Sequence, residues 1–83
     1  MNKKNNYNLI DPKPNPRHLI ELANYTMPFG KYKGYYLVNI PEYYYTWYKR
    51  KGFPKGKLGN MMQEIDEIKI NGLEEILLRL IKK

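Results

Sequence analysis

Without a single cysteine, a chain of 83 residues has no disulfide to brace its fold and no thiolate to anchor a structural zinc. The lone histidine, His18, cannot assemble a metal site by itself. A domain of this size buries only about 60–65% of the surface its unfolded chain exposes, which leaves the core marginal. Stability therefore has to come from close packing of a few short elements, or from a partner. That limit predicts one small domain over residues 18–83, preceded by a segment, 1–17, with no core of its own.

Residues 1–17 are rich in asparagine and carry Pro12, Pro14 and Pro16 on alternate positions. Such prolines enforce an extended path, and the segment has too little apolar surface to fold alone, so an extended, disordered basic tail is expected. Asn15-Pro16-Arg17 has the form of a helix start, with Asn as N-cap and Pro at the first helical position. Leu19, Ile20, Leu22 and Ala23 then give one or two apolar turns. Thr26 to Phe29 and Tyr35 to Val38 are expected as short strands joined by Gly30-Lys31-Tyr32-Lys33-Gly34, whose glycines supply the positive φ of a tight turn.

Asn39-Ile40-Pro41-Glu42 opens a helix that stops at Gly52, with Tyr44, Trp47 and Tyr48 on one face. A second helix starts near Leu58 and carries Leu58, Met61, Met62, Ile65 and Ile68 at three- and four-residue spacing. Asn71 is placed to cap a third, with Glu74 at capping-box distance and Leu73, Ile76, Leu77, Leu80 and Ile81 as its stripe. The expected fold is α+β: a short β-hairpin followed by three small helices, with the basic tail in front.

The formal charge of +7 is not spread evenly. Residues 29–59 hold Lys31, Lys33, Lys49, Arg50, Lys51, Lys55 and Lys57 against Glu42 alone, a local excess of +6. Charge kept only for solubility need not cluster, whereas a footprint for a polyanion does. Two segments inside this stretch echo each other: Phe29-Gly30-Lys31-Tyr32-Lys33-Gly34 and Phe53-Pro54-Lys55-Gly56-Lys57-Leu58-Gly59. Each presents two lysines on alternate positions beside glycines, which let backbone amides approach an anion. Neither is a P-loop, since the glycine spacing and the hydroxyl residue after the lysine are missing. The candidate nucleic-acid-binding residues are Lys31, Tyr32, Lys33, Lys49, Arg50, Lys51, Lys55 and Lys57, with Lys3, Lys4, Lys13 and Arg17 of the tail. Of the aromatic residues among these loops, Tyr32 is the expected stacking platform, and Trp47, Phe29 and Phe53 are expected in the core.

Catalytic groupings are missing. The chain has no cysteine and no serine, and His18 has no second histidine to work with. Glu64, Asp66 and Glu67 fall on an amphipathic helix away from the basic loops, where only Glu42 is available to hold a metal against a phosphodiester. No enzymatic activity, metal or other cofactor is expected. The start, Met1-Asn2-Lys3-Lys4-Asn5-Asn6, has no apolar run behind it, and no stretch has the length of a membrane span, so a cytoplasmic protein without membrane contact is expected.

A wider pattern runs through Met27-Pro28-Phe29-Gly30-Lys31-Tyr32-Lys33-Gly34, then Leu37, Pro41, Tyr44 and Trp47, then Gly52-Phe53-Pro54-Lys55-Gly56-Lys57-Leu58-Gly59, Ile68-Lys69 and Asn71-Gly72-Leu73. Over roughly residues 26–74 it resembles a small bacterial family labelled "putative quorum-sensing-regulated virulence factor", and its first motif is also similar to a module appended to some DNA exonucleases. The label describes expression, not chemistry, and the appended module implies nucleic acid without a catalytic role. The family commonly has Asp where this chain has Asn39, and Leu or Phe at Tyr45 and Tyr48. Losing that Asp argues against a metal-binding or catalytic role here.

Size, charge, tail and resemblance together lead to a non-enzymatic binder of structured RNA, with rRNA inside a ribonucleoprotein as the expected partner and neighbouring ribosomal proteins beside it. Two alternatives stand next to it. One is a DNA-binding accessory module of a nuclease or repair factor. The other is a protein-interaction adaptor that docks its partner on the last helix.

Overall fold

The computed structural model describes residues 15–82, and Lys3, Lys4, Lys13 and most of the expected tail lie outside the described residues. Among the described residues are four α-helices, which we label α1 (Pro16–Asn24), α2 (Glu42–Lys51), α3 (Lys57–Ile70) and α4 (Glu74–Leu78). A single turn of 3-10 helix, Leu37–Asn39, lies between α1 and α2. Helix α1 begins as its sequence dictates: the Asn15 side-chain oxygen accepts from the Arg17 amide at 2.9 Å, and Pro16 fills the first turn. Helix α2 carries Glu42 in its first turn and Lys49, Arg50 and Lys51 in its last, the charge order that suits its dipole. Gly52, at φ +113, ends it.

The β-hairpin is not there, and the fold is helical instead of α+β. The two expected strands meet at one antiparallel bridge, Thr26 to Tyr36, held by Met27 N–H to Tyr35 C=O at 2.9 Å and Leu37 N–H to Tyr25 C=O at 3.0 Å. Two physical reasons stop the ladder. Pro28 has no N–H with which to extend it. Leu37 and Val38 are adjacent and both buried, at 0% and 3% exposure, whereas a strand would send them to opposite faces. Curling into a 3-10 turn lets both enter the core.

That core joins Leu22 and Ala23 of α1, Met27, Leu37 and Ile40 of the connecting segment, Tyr45 of α2, Met62 and Ile65 of α3, and Leu77 of α4. The predicted stripe of α3 is buried at Leu58, Met61, Met62 and Ile65, with Ile68 packed at its edge. Polar clamps close the ends. Lys69 of α3 donates to the carbonyls of Val38 and Ile40, both at 3.1 Å, and so ties off the 3-10 turn. Asn24 donates to the carbonyls of Ile20 at 2.8 Å and Leu80 at 3.0 Å, and accepts from the Lys82 amide at 2.8 Å, pinning the C-terminal segment to α1.

Helix α4 departs from the expected capping box. Its N-cap is Leu73, and the Asn71 side chain turns back to donate to the Glu67 carbonyl at 3.0 Å. Of the expected stripe only Leu77 is fully buried, Leu80 and Ile81 pack at the rim of the core, and Leu73 and Ile76 stay exposed. No helix among the described residues is long and apolar enough to cross a membrane.

Candidate nucleic-acid interface

Helix α2 has two unlike faces. Tyr45 and Tyr48 point inward, and Tyr45 is completely buried. Its hydroxyl donates to the Leu37 carbonyl at 2.7 Å, and burial pushes its pKa well above the ordinary tyrosine value, with the nearby Asp66 carboxylate adding to the effect. On the outer face Tyr43, Trp47 and Arg50 follow one another at four- and three-residue spacing, which lines them up along the helix. The turn that holds Lys31 packs against this face. Together Lys31, Tyr43, Tyr44, Thr46, Trp47 and Arg50 line an open groove of about 530 Å³.

Tyr32 is the wall between that turn and the helix. Its ring meets Tyr44 edge-on at 4.8 Å and Tyr35 at 5.2 Å, and its hydroxyl is hydrogen-bonded to that of Tyr43. The hydrogen bond with Tyr43 is the main reason its own pKa is pushed up to about 12, with desolvation next. The Tyr43 hydroxyl is held below its usual value chiefly by that same bond, with the Lys31 charge helping. Trp47 lies one turn after Tyr44, with the two rings 5.9 Å apart and nearly parallel. One turn further on, the Lys51 ammonium sits 4.6 Å from the centre of the indole.

The structure sorts the expected binding residues into distinct groups. Lys31 and Arg50 come together on the groove, and the Lys51 ammonium sits against the ring of Trp47, one of its lining residues. Lys33 and Lys55 are exposed, with no ion pair among the described residues. Lys49 faces the other way and pairs with Asp66 of α3 at 3.0 Å. Lys57 pairs with Glu21 of α1, which lowers the Glu21 pKa and raises that of Lys57, and its ammonium lies 5.8 Å from the Tyr25 ring. Arg17 is exposed in the first turn of α1, and Lys3, Lys4 and Lys13 lie outside the described residues.

Three assignments reverse. Tyr32 is 6% exposed and enclosed by other tyrosines, so no base can stack on it. Trp47, expected in the core, is 43% exposed on the groove, and Phe29 is exposed as well. Phe53 is half-buried and stacks on Tyr48 at 5.8 Å. The signal that would have found the site was the register of Tyr43, Trp47 and Arg50 on one side of α2. A second shallow hollow, lined by Gln63, Glu64, Glu67 and Ile68, carries the wrong charge for a polyanion. Among the described residues no three His, Cys, Asp or Glu side chains converge to hold a metal.

Comparison with known proteins gives the groove a family setting. Residues 15–80 match the family described as "Putative quorum-sensing-regulated virulence factor", a span that takes in α1 and reaches well beyond the motifs at 26–74. Two curated relatives, each described as "Uncharacterized protein YpeB", come from Escherichia coli K12 and O157:H7. Both are 53% identical over 60 residues, covering 71% of this chain and 83% of theirs. No solved structure matches the chain. With residues 15–80 matched, a span that holds the motifs and the four described helices, the chain belongs to the family described as "Putative quorum-sensing-regulated virulence factor".

Proposed function

We propose that this protein is a non-enzymatic nucleic-acid-binding domain that holds an unpaired segment of structured RNA in the α2 groove, with ribosomal RNA as its first target. The observation that supports this reading most directly is the pairing of chemistries in one place. Lys31 and Arg50 flank an exposed indole and an exposed phenol, so phosphate and base can be met within one groove. Paired duplex would satisfy the cations and leave the aromatic rings unused. The reading carries a cytoplasmic location with it.

The test is a set of titrations with an RNA hairpin bearing an unpaired loop, the same stem as a blunt duplex, and single-stranded DNA of the loop's length. The loop RNA should bind more tightly than the duplex, and its affinity should fall with salt at a log–log slope of about −2, as expected for three phosphate contacts on a single strand. Equal binding of the DNA strand would favour an accessory module that serves a nuclease or repair factor. No salt-dependent binding to any of the three would end the proposal. Ile70, Leu73, Ile76 and Leu78 remain exposed around α4, and they support a second reading, a protein-interaction adaptor. Protein that purifies free of nucleic acid and fails these titrations would favour it.

A further inference from the structure

Trp47 has neighbours before and after it along α2, besides the edge-on contact with Tyr48 at 4.9 Å. Tyr44, one turn earlier, stacks at 5.9 Å with the planes 21° apart, and the Lys51 ammonium, one turn later, sits over the ring at 4.6 Å. The Tyr44 side is fixed, because that tyrosine also packs against Tyr32 and Tyr48. The Lys51 side is not. Lys51 is exposed, lies at the last position of α2, and makes no ion pair among the described residues. A long, flexible ammonium held only by a ring face is easily moved.

Resting on the nucleic-acid reading above, we propose that the Lys51 side of Trp47 is a base subsite. The ammonium covers it in the free protein, and an unpaired nucleobase displaces it. The released ammonium then pairs with the phosphate next to the stacked base. The ligand class follows from that exchange: a nucleotide whose base is free to stack and which carries a neighbouring phosphate. A polyanion without bases gives nothing to the ring, so Lys51 stays where it is. A cationic ligand is disfavoured, because Lys31 and Arg50 line the groove to which Trp47 also belongs. The site therefore tests for a base before it commits its third cation to the backbone.

Trp47 is the only tryptophan in the chain, so its emission reports on this face alone. The probes are a single-stranded oligonucleotide, an abasic oligonucleotide of equal length, and a blunt duplex, titrated against the wild type, Lys51→Ala and Lys51→Gln. The base-bearing strand should quench Trp47 and bind about five- to a hundredfold more tightly than the abasic one, the range of one base–aromatic stack. Both Lys51 variants should reduce the salt slope for the base-bearing strand by about 0.7, one phosphate contact on a single strand, and leave the abasic slope unchanged. Binding of the oligonucleotide with unchanged Trp47 emission would overturn the subsite and leave the nucleic-acid reading standing. An equal loss of slope on both strands would also overturn it, since Lys51 would then be an ordinary phosphate contact. No binding of any probe would overturn both.

Discussion

In the turn at residues 30–34 the glycines are there for their backbone angles, with φ of +80 at Gly30 and +90 at Gly34, and a side chain added at Gly34 would meet open space. In the loop at residues 53–59 Gly56 plays that part at φ +84, but Gly59 lies inside α3 for another reason: a Cβ there would come within 1.7 Å of the Pro54 carbonyl oxygen. The lysines divide in the same way. Lys31 stands over the groove, while Lys57 is drawn across to Glu21 on α1. Two segments that each run from a Phe through two alternate lysines to a closing Gly therefore do different work. The first presents charge to solvent beside an aromatic face, and the second fastens a loop onto the start of a helix. A local motif fixes the backbone; what its side chains do depends on what packs behind it.

The largest expected effect separates the two glycine roles. Gly59→Ala forces a methyl against the Pro54 backbone, with no flexible side chain to yield, and should cost about 3 kcal/mol or more, enough to unfold much of a marginal domain. Gly34→Ala meets no atom within 4 Å and has only its positive φ to bear, about 1 kcal/mol. Thermal melts followed by circular dichroism should show a loss of about 4–8 °C for Gly34→Ala and at least twice that for Gly59→Ala. Equal shifts would erase the distinction between the two segments.

The parts of this fold that were legible in the sequence are those decided by neighbours along the chain. Asn15-Pro16 announces α1, Gly52 ends α2, and the stripe from Leu58 to Ile65 gives the buried side of α3, because caps and helical periodicity are local properties. The hairpin was misleading because Tyr35 to Val38 has the composition of a strand, and only the core behind it demands that Leu37 and Val38 both turn inward. Trp47 was expected in the core, and Tyr45 fills it instead, for a similar reason. Either ring could fill a core, but Tyr45 is the one whose hydroxyl finds the Leu37 carbonyl. In the site, the basic centre was legible from charge counting. The loss of Lys49 and Lys57 to Asp66 and Glu21 was not, since both partners lie on other helices, far away in sequence.

The inward face of α2 gives the next effect, and it carries a sign in pH. Tyr45→Phe keeps the ring and leaves the Leu37 carbonyl without its donor, at about 1–2 kcal/mol near neutral pH. Burial raises the folded-state pKa of Tyr45 above the ordinary value near 10. The unfolded chain therefore gives up that proton first as the pH rises, and stability is lost from about pH 10 upward. Removing the hydroxyl removes this share of the loss. The melting temperature of Tyr45→Phe should thus start lower than wild type at pH 7 and fall less steeply above pH 10. Parallel curves would mean that the hydroxyl is not held in the core.

The smallest effects bear on charge, and they decide whether the two lysine segments are one surface or two. Lys31→Gln with Arg50→Gln should lower the salt slope for a single-stranded ligand by about 1.4, two phosphate contacts, with the melting temperature nearly unchanged because both side chains are exposed. Lys57→Gln should leave the slope where it was. Its ammonium is already engaged by Glu21, and a phosphate would have to compete with that carboxylate while lying close to it. The Lys57–Glu21 pair is itself exposed, so breaking it should move the melting temperature little. Slopes measured side by side at matched salt make the comparison direct. If Lys57→Gln flattens the slope as much as neutralising Lys31 does, the ligand spans both segments and pulls Lys57 away from Glu21 on binding. In that case Glu21→Gln, which frees Lys57 in advance, should tighten binding; if the loop at 53–59 only fastens α3, Glu21→Gln should leave affinity unchanged.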